Sequence, residues 1–328
     1  MDDHAPLSIS EVFGLAPYAQ TLQQAMVVFR GDPTVPPSRF DTTSLGIMTP
    51  RLSVGTWLGR RMGGRTIPLL NLFNRNPTPT SAGWSVRITQ VRDFRGKGLT
   101  YDSHNGTDFV IPPGTVATAA GAGQVVSIRR EFNRGGLKIY LDHGRGLMTT
   151  YNHLGRALVD VGARVAEGEP IALTGYSGID GLTGFPWLAP HVHWNAILGG
   201  VLVDPFAEPG ETSLWRQHND PRPWDGARPE AWSPTTFEVA RVEAMLADLK
   251  DATRRRALAS SCEPWRLGHE LIIESTVYPT RFSTESAGKI LFGDNVPREP
   301  RLSLPFLARD YEGVDFADAM GFRDADLP

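Results

Sequence analysis

The chain has 328 residues, 41% of them hydrophobic and 21% charged, which is the composition of an ordinary globular protein. Its net charge of -3 gives no electrostatic reason to expect nucleic acid or an anionic membrane as a partner, and no apolar run is long enough to span a membrane. The single cysteine, Cys262, excludes an internal disulfide and a cysteine-based zinc site, so any metal must be held by nitrogen and oxygen.

Two segments rich in turn-forming residues, 76–83 and 220–229, divide the chain. We therefore predict three regions. The first is an N-terminal segment over 1–83 of unknown role, without a chemical motif. The second is a compact antiparallel β domain over 84–219, and the third is a C-terminal region over 220–328 whose role is also unknown.

Strand-like patterns fill the middle region, at Val86–Val91, Gly123–Ile128 and Leu137–Leu141. The segments Leu137–His143 and Leu147–His153 flank three residues, which predicts a hairpin with a three-residue loop. In that register His143 pairs with Leu147 and His153 pairs with Leu137, so the two histidines lie on the order of 20 Å apart.

The pattern changes after residue 229. Ser233 and Pro234 are suited to begin a helix, and apolar residues then recur every three or four positions. We predict an amphipathic helix near 234–256 and a strand over Leu271–Tyr278. The expected fold is mainly β in the middle region, with a curled antiparallel sheet, and α+β overall with a partly helical C-terminal region.

Five of the eight histidines fall between His104 and His193. His104 and Asp108 are four residues apart, and His191 and His193 are two apart, so in an extended chain each pair shares one face. Histidine is the commonest protein ligand for zinc and titrates near neutrality. A catalytic zinc needs three protein ligands, which two histidines and an aspartate can supply, and the remaining histidines can then move protons.

Each of these residues also has a simpler interpretation. A lone His-x-x-x-Asp pair is weak evidence for a metal site, and His153 alone is more often a surface or capping histidine. Their occurrence together in strand-like sequence favours a site. We expect His143 to belong to the hairpin end, and His4, His218 and His269 to be surface residues.

At these positions the chain resembles the M23 family of zinc metallopeptidases, the lysostaphin and LytM type that cut peptidoglycan peptides. The resemblance runs over about 100–200 and covers the patterns His104-x-Gly-x-Asp108, Tyr151-x-His153-Leu and Pro190-His-Val-His-Trp194, and it ends at Val203-Asp-Pro. It implies one zinc per chain with His104, Asp108 and His193 as its ligands. It also implies that His153 and His191 are the catalytic histidines, without deciding which of them is the base.

The sequence departs from the family pattern at Asn195, where the family commonly has an acid, so a contact behind the ligands is expected to differ. Tyr151 is expected on the strand face of His153, either supporting it or packing in the core. We expect the segment Gly175–Pro190 either to form one wall of a substrate groove or to pack on itself.

The predicted function is zinc-dependent hydrolysis of peptide bonds, with peptidoglycan stem or cross-bridge peptides as substrates on the resemblance alone. One alternative is a non-catalytic binding or regulatory module on the same fold, and another is an intracellular metal-dependent amidohydrolase. The acidic start of the chain lacks the pattern of a signal peptide. We therefore expect a periplasmic or extracellular protein if a leader is missing from this sequence, and a cytoplasmic one otherwise. The sequence indicates no oligomeric state.

Overall fold

The computed structural model describes residues 4–31, 34, 36–227, 231–293 and 296–323. The last two residues of the predicted linker 220–229 lie outside these ranges. The helices are α1 (Ile9–Phe13), α2 (Tyr18–Arg30), α3 (Pro50–Trp57), α4 (Ile179–Gly184), α5 (Val239–Asp248), α6 (Ala252–Ser261) and α7 (Pro264–Val277). Short 3-10 helices span Thr42–Ile47, Thr80–Ala82, Pro279–Arg281 and Ala287–Leu291.

The strands are β1 (Thr66–Leu69), β2 (Thr107–Val110), β3 (Val116–Thr118), β4 (Gly123–Glu131), β5 (Gly136–Asp142), β6 (Leu147–Ala157), β7 (Arg164–Val165), β8 (Pro170–Thr174), β9 (His191–Leu198), β10 (Val201–Val203) and β11 (Gly313–Phe316). They form one sheet with the order β11-β1-β2-β9-β6-β5-β4-β7, to which β10 and the β3–β8 pair are added at β9 and β6. The pairs are antiparallel except β1 with β11, which run parallel. The predicted mainly β fold with an antiparallel sheet is confirmed, and strands from both flanking regions extend it.

Neighbouring strands β6 and β9 show how the two faces of the sheet differ. Thr149 lies opposite Ala196 and Tyr151 opposite Trp194, and these side chains face the main hydrophobic core. That core includes Trp194 and Trp215, whose rings stack with centroids 4.9 Å apart. Because Trp215 comes from beyond β10, the chain after the last strand of the middle region closes this side of the sheet.

The opposite face is divided between packing and an open groove. Met148 and Ile197, paired across β6 and β9, pack in a second apolar cluster against the C-terminal helices. The next pair along the strands, Thr150 and Asn195, is polar and lines a groove. Side chains two residues apart on a strand share a face. Met148 and Thr150 therefore lie in one row of β6, where Met148 packs against the C-terminal helices and Thr150 lines the groove.

The C-terminal region differs from its prediction in where the first helix begins, in having a second helix, and in the structure of Leu271–Tyr278. The first helix begins at Val239 rather than near Ser233, with Glu238 at the N-cap position, and it ends at Asp248. A second helix follows because the Asp251 carboxylate accepts hydrogen bonds from the amides of Thr253 and Arg254.

The predicted strand Leu271–Tyr278 is wrong, since its residues up to Val277 lie in α7. A short apolar run suits a buried helix as well as a strand, and here Leu271, Ile272 and Ile273 are all buried. No helix within the described ranges is long and apolar enough to cross a membrane.

The predicted strand Val86–Val91 is also absent. The Asp102 carboxylate accepts hydrogen bonds from the backbone amides of Thr89 and Gln90, at 2.8 Å each. A side-chain acceptor thus takes amides that a neighbouring strand would otherwise bind, and the segment stays a loop. The hairpin of β5 and β6 is confirmed, with the His143 amide donating to the Leu147 carbonyl at 2.8 Å.

Candidate metal centre

Three side chains converge where β2 and β9 pair. Asp108 lies directly opposite His193 in the antiparallel register, and His104 comes just before β2. His193 Nδ1 lies 2.8 Å from Asp108 Oδ1, His104 Nε2 lies 3.1 Å from the same oxygen, and the two nitrogens are 3.1 Å apart. Ligands of a tetrahedral zinc ion stand about 3.3 Å from one another. The donor set and its spacing therefore fit zinc, and this is the group of described residues that could hold a metal ion.

Gly106 makes this convergence sterically feasible. A Cβ atom there would lie 2.6 Å from the Trp194 carbonyl oxygen and 2.7 Å from His193 Nε2. Both distances are shorter than a Cβ atom can tolerate, so no side chain fits at this position. Glycine at this position lets the segment before β2 approach β9 closely enough for His104 to reach His193.

The ring of His104 is held from the N-terminal flank. Its Nδ1 donates to the Leu72 carbonyl at 2.7 Å, which leaves Nε2 with a lone pair directed at the cluster. Asp108 is held in the same way, because Asn71 Nδ2 donates to its second oxygen, Oδ2, at 2.6 Å. Arg323 then donates to Asn71 Oδ1 and, at 3.0 Å, to the Leu70 carbonyl.

Asn71 and Arg323 were missed by the sequence analysis, and no motif marks them. Asn71 lies 37 residues before Asp108 along the chain, and Arg323 lies 215 residues after it. Only the pairing of β1 with β2 and β11 brings both flanks to the ligands. The sequence left the role of both flanks unknown, and these contacts bring one residue of each flank to the proposed ligands.

Asn195 takes a position behind His193. Its amide nitrogen donates to the Asn105 carbonyl at 2.7 Å, and its Oδ1 accepts from Asn152 Nδ2 at 3.0 Å. His193 Nε2 lies 3.2 Å from Asn105 Oδ1, so the ring nitrogen turned away from the cluster has an acceptor. An amide network stands where an acid is common in the family.

Two further histidines border the ligand cluster. His153 Nδ1 donates to the Ser177 carbonyl and His191 Nδ1 to the Ala189 carbonyl, each at 2.8 Å. Both rings therefore keep Nε2 as the unprotonated nitrogen when neutral. Their centroids are 5.0 Å apart, and His191 Nε2 lies 3.5 Å from Asp108 Oδ1. The ring of Tyr176 packs against both histidines.

A β-bulge places His153 in the site. Tyr151 pairs with Ile139 but Leu154 pairs with Leu137, so β6 has one extra residue between these pairs. His153 takes the left-handed conformation, with φ 60°, which is rare for a residue other than glycine. The predicted pairing of His153 with Leu137 is therefore wrong by one residue.

The bulge also corrects the expectation for Tyr151. Because the extra residue reverses the alternation, Tyr151 does not share the face of His153. It is fully buried in the main core, and its hydroxyl accepts a hydrogen bond from the Ala120 amide at 2.7 Å. Tyr151 is a core residue.

Burial and charge set the protonation of the cluster. Burial opposes ionisation of Asp108, but the neighbouring His104 and His191 hold the pKa of its carboxyl well below the usual range. Burial, reinforced by the charge of nearby His191, lowers the pKa of His153 to about 3. Burial also lowers the pKa of His193, against the opposing effect of Asp108. Burial and charge thus favour an ionised Asp108 beside neutral His153 and His193, and ionised carboxylates and neutral imidazoles are the forms that bind a metal.

The other histidines lie elsewhere. His143 is buried at the hairpin end, between the Ala122 carbonyl and the Thr149 hydroxyl, as predicted. His4 and His218 are exposed. His269 is not a surface residue, because only 2% of it is exposed, with Nε2 3.6 Å from Asp142 Oδ2.

A groove of about 440 Å³ opens beside the centre. His153 and His193 line it together with four asparagines, Asn105, Asn133, Asn152 and Asn195. Ile179, Thr183 and Leu188 form part of its wall, so the segment Gly175–Pro190 does border a groove as expected. Residues of α2 and α7 also line it, which brings both flanks to the space next to the reactive groups.

Comparison with known proteins agrees with this geometry. The profile of "Peptidase family M23" matches residues 102–205. An uncharacterized metalloprotease of Haemophilus influenzae is 37% identical over 112 residues, 34% of this chain and 22% of that protein. Peptidoglycan DD-endopeptidase ShyA of Vibrio cholerae is 39% identical over 101 residues, 31% of this chain and 22% of that protein.

The matched region thus spans about a fifth of the length of these relatives. Among solved structures, a zinc-containing peptidase from Vibrio cholerae is similar, with 26% identity and a TM-score of 0.32 over 42% of this chain and 36% of that chain. The predicted metal site agrees with the cluster of His104, Asp108 and His193, which could hold a metal ion. Over residues 102–205 this chain is therefore similar to peptidase family M23.

Proposed function

We propose that the chain is a zinc-dependent endopeptidase that hydrolyses amide bonds in peptidoglycan stem or cross-bridge peptides. The observation that carries this proposal is the cluster of His104, Asp108 and His193, whose donor atoms lie 2.8 to 3.1 Å apart. Two additional histidines stand beside it, each with one nitrogen fixed by a backbone carbonyl. A structural zinc site has four protein ligands, whereas a catalytic site has three and an open position.

In this proposal His104 Nε2, Asp108 Oδ1 and His193 Nδ1 hold the ion. When bound, zinc supplies Lewis-acid chemistry that acidifies water and polarises a carbonyl group. The anchors from Asn71 and Leu72 keep the carboxylate and the His104 ring oriented toward the ion, which limits the reorganisation that binding requires.

His153 and His191 would divide the proton transfers between them. Each donates its Nδ1 proton to a carbonyl, so Nε2 can accept a proton from the attacking water. Once protonated, an Nε2–H group can donate to the oxygen that becomes negative as the amide carbonyl is attacked, or to the leaving amine. Two histidines on one side of the cluster allow one to act as base and the other as donor.

The relatives and the groove support the proposed substrate class. One relative is named as a peptidoglycan DD-endopeptidase. The groove presents amide side chains and the rings of Trp84 and Tyr101, and such a lining suits the backbone of an extended peptide. A wall peptide as substrate would place the protein in the periplasm or outside the cell.

The alternative of a non-catalytic binding module has less support. Binding alone would require neither a three-ligand cluster nor two further histidines with fixed tautomers. No contact among the described residues that line the groove favours the alternative of an intracellular amidohydrolase.

Incubation of the purified full chain with cross-linked muropeptides, followed by mass spectrometry of the products, tests the proposal. We expect zinc-dependent cleavage that a chelator abolishes and added zinc restores. Intact muropeptides after incubation with a zinc-loaded chain would contradict it.

A further inference from the structure

Arg134, a cation that lines the groove, forms no ion pair with any residue in the described ranges. Arg134 lies in the turn between β4 and β5 and lines the same groove as His153 and His193. The carbonyl of the next residue, Gly135, accepts a hydrogen bond from the His153 amide at 2.7 Å. The backbone of Arg134 is therefore fixed one residue from a direct contact with the proposed catalytic histidine.

The side-chain donors of Arg134 find no acceptor among the residues that the structure describes. Its Nε is buried without a hydrogen-bond partner, and its side chain forms no hydrogen bond or ion pair with the described part of the chain. Its guanidinium lies over the ring of Trp84, 5.5 Å from the centroid. A cation–π contact occupies the flat face of a guanidinium and leaves the N–H groups at its edge available.

The other cation of the groove is in a different situation. Lys138 is buried and forms a close ion pair with Glu131. Burial lowers the pKa of Arg134, because no close anion compensates for its loss of solvent. Arg134 is only partly buried, but its Nε is buried without a hydrogen-bond partner, and such a donor is expected where a ligand completes it.

Three charged groups act on Arg134 from neighbouring elements. Glu131 is already bound to Lys138, and Arg281 adds positive charge. Asp180 on α4 acts from across the groove but lies beyond ion-pair distance. The surroundings thus leave a positive position in the groove close to His153.

We propose that Arg134 binds a free carboxylate of the peptide substrate and so selects peptides that carry one near the scissile bond. This inference rests on the proposed function and names a determinant of its specificity. The planar fork of the guanidinium can take both oxygens of a carboxylate in parallel hydrogen bonds. The carboxylate can be the C-terminal group or a side-chain acid of a wall peptide, since both present the same chemistry.

The test measures binding separately from cleavage. The probe is a synthetic dimer of two cross-linked tetrapeptides in the free-acid form, with two further versions amidated at the C-terminal or at the side-chain carboxyls. Binding is measured by calorimetry on the full zinc-loaded chain carrying His153→Ala, so that the peptide is not consumed. Arg134→Gln and Arg134→Lys are added to this background. Arg130→Gln is the control, because Arg130 is an exposed arginine of the same hairpin that does not line this groove.

We expect the free acid to bind about tenfold to a hundredfold more tightly than one of its amidated versions, which identifies the carboxyl that is recognised. Arg134→Gln should remove that difference and leave the affinity for the amide unchanged. Arg134→Lys should keep part of it, and Arg130→Gln should keep all of it.

Equal affinity for acid and both amides would overturn the inference, and so would a loss in Arg134→Gln that is the same for all three peptides. Cleavage by the otherwise unaltered chain is then measured on the same peptides. Cleavage without preference for the acid leaves the proposed function standing and overturns this inference. Acid-dependent binding without cleavage would support this inference and overturn the proposed function.

Discussion

Residues 102–205 and the regions on either side of them contribute different parts of one metal centre. The matched segment supplies the three proposed ligands and both proposed catalytic histidines. The flanks supply Asn71, Leu72 and Arg323, which orient two of those ligands. Flanking residues also line part of the groove. The matched segment thus contains the groups proposed to do the chemistry, whereas residues outside it orient two of the proposed ligands.

The largest effect is expected from the matched segment. His193→Ala removes one of three ligands and should lower the zinc content from about one ion per chain to nearly none, measured by mass spectrometry of the metal. His4→Ala, at an exposed histidine of the N-terminal flank, is the control and should retain the metal. Full zinc content in His193→Ala would contradict the ligand assignment.

A second substitution in the matched segment separates ligation from proton transfer. His153→Ala should keep its zinc and lose about a hundredfold or more in the rate of muropeptide hydrolysis, since general acid–base groups contribute on that order. Parallel measurement of zinc content and rate decides the outcome. Loss of zinc would make His153 a ligand, and an unchanged rate would remove it from the mechanism.

The flanks should show a smaller effect of a different kind. Arg323→Gln and Asn71→Ala keep all three proposed ligands but remove hydrogen bonds that orient Asp108. Zinc affinity should therefore fall by about tenfold to a hundredfold. Chelator competition measures the affinity, and thermal unfolding of the metal-free protein measures folding separately. The exposed Arg256 provides the control Arg256→Gln. Lower stability with unchanged zinc affinity would make the flanks purely structural.

The smallest effect concerns the histidine of the matched segment that takes no part in the site. Burial lowers the pKa of His143 to about 4, against 6.5 for an ordinary histidine. The unfolded chain therefore binds a proton more readily, and the free energy of unfolding should fall as the pH is lowered from about 7 to about 5.

In His143→Gln this decrease should be weaker by about 1 to 2 kcal/mol, as followed by chemical denaturation at each pH. An identical pH dependence in both proteins would show that His143 does not carry the effect.

The sequence predicted an antiparallel sheet in the middle region, and the family resemblance pointed to the five residues of the proposed centre. His104 and Asp108, and His191 and His193, are short-range pairs whose spacing is visible in the chain. The pairing of β5 and β6 was also predictable, because glycines mark the turn. Local patterns of this kind reflect backbone geometry that a few neighbouring residues determine.

Other features depend on contacts that no local pattern contains. The bulge at His153 is stabilised by Gly135 and by the turn at Ser177, which are distant in the sequence. Asn71 and Arg323 reach the site through strand pairing between the two ends of the chain. The apolar run at Leu271 is helical because it packs on the sheet, and its sequence alone suits either structure.

X-ray absorption spectroscopy of the zinc-loaded full chain tests the proposed ligand set, because it identifies the atoms bound to the ion. We predict two imidazole nitrogens and a carboxylate oxygen at about 2.0 to 2.1 Å, with one further light atom completing four ligands. Three or four imidazoles around the ion would contradict it, since His153 or His191 would then be a ligand and could not carry the proton.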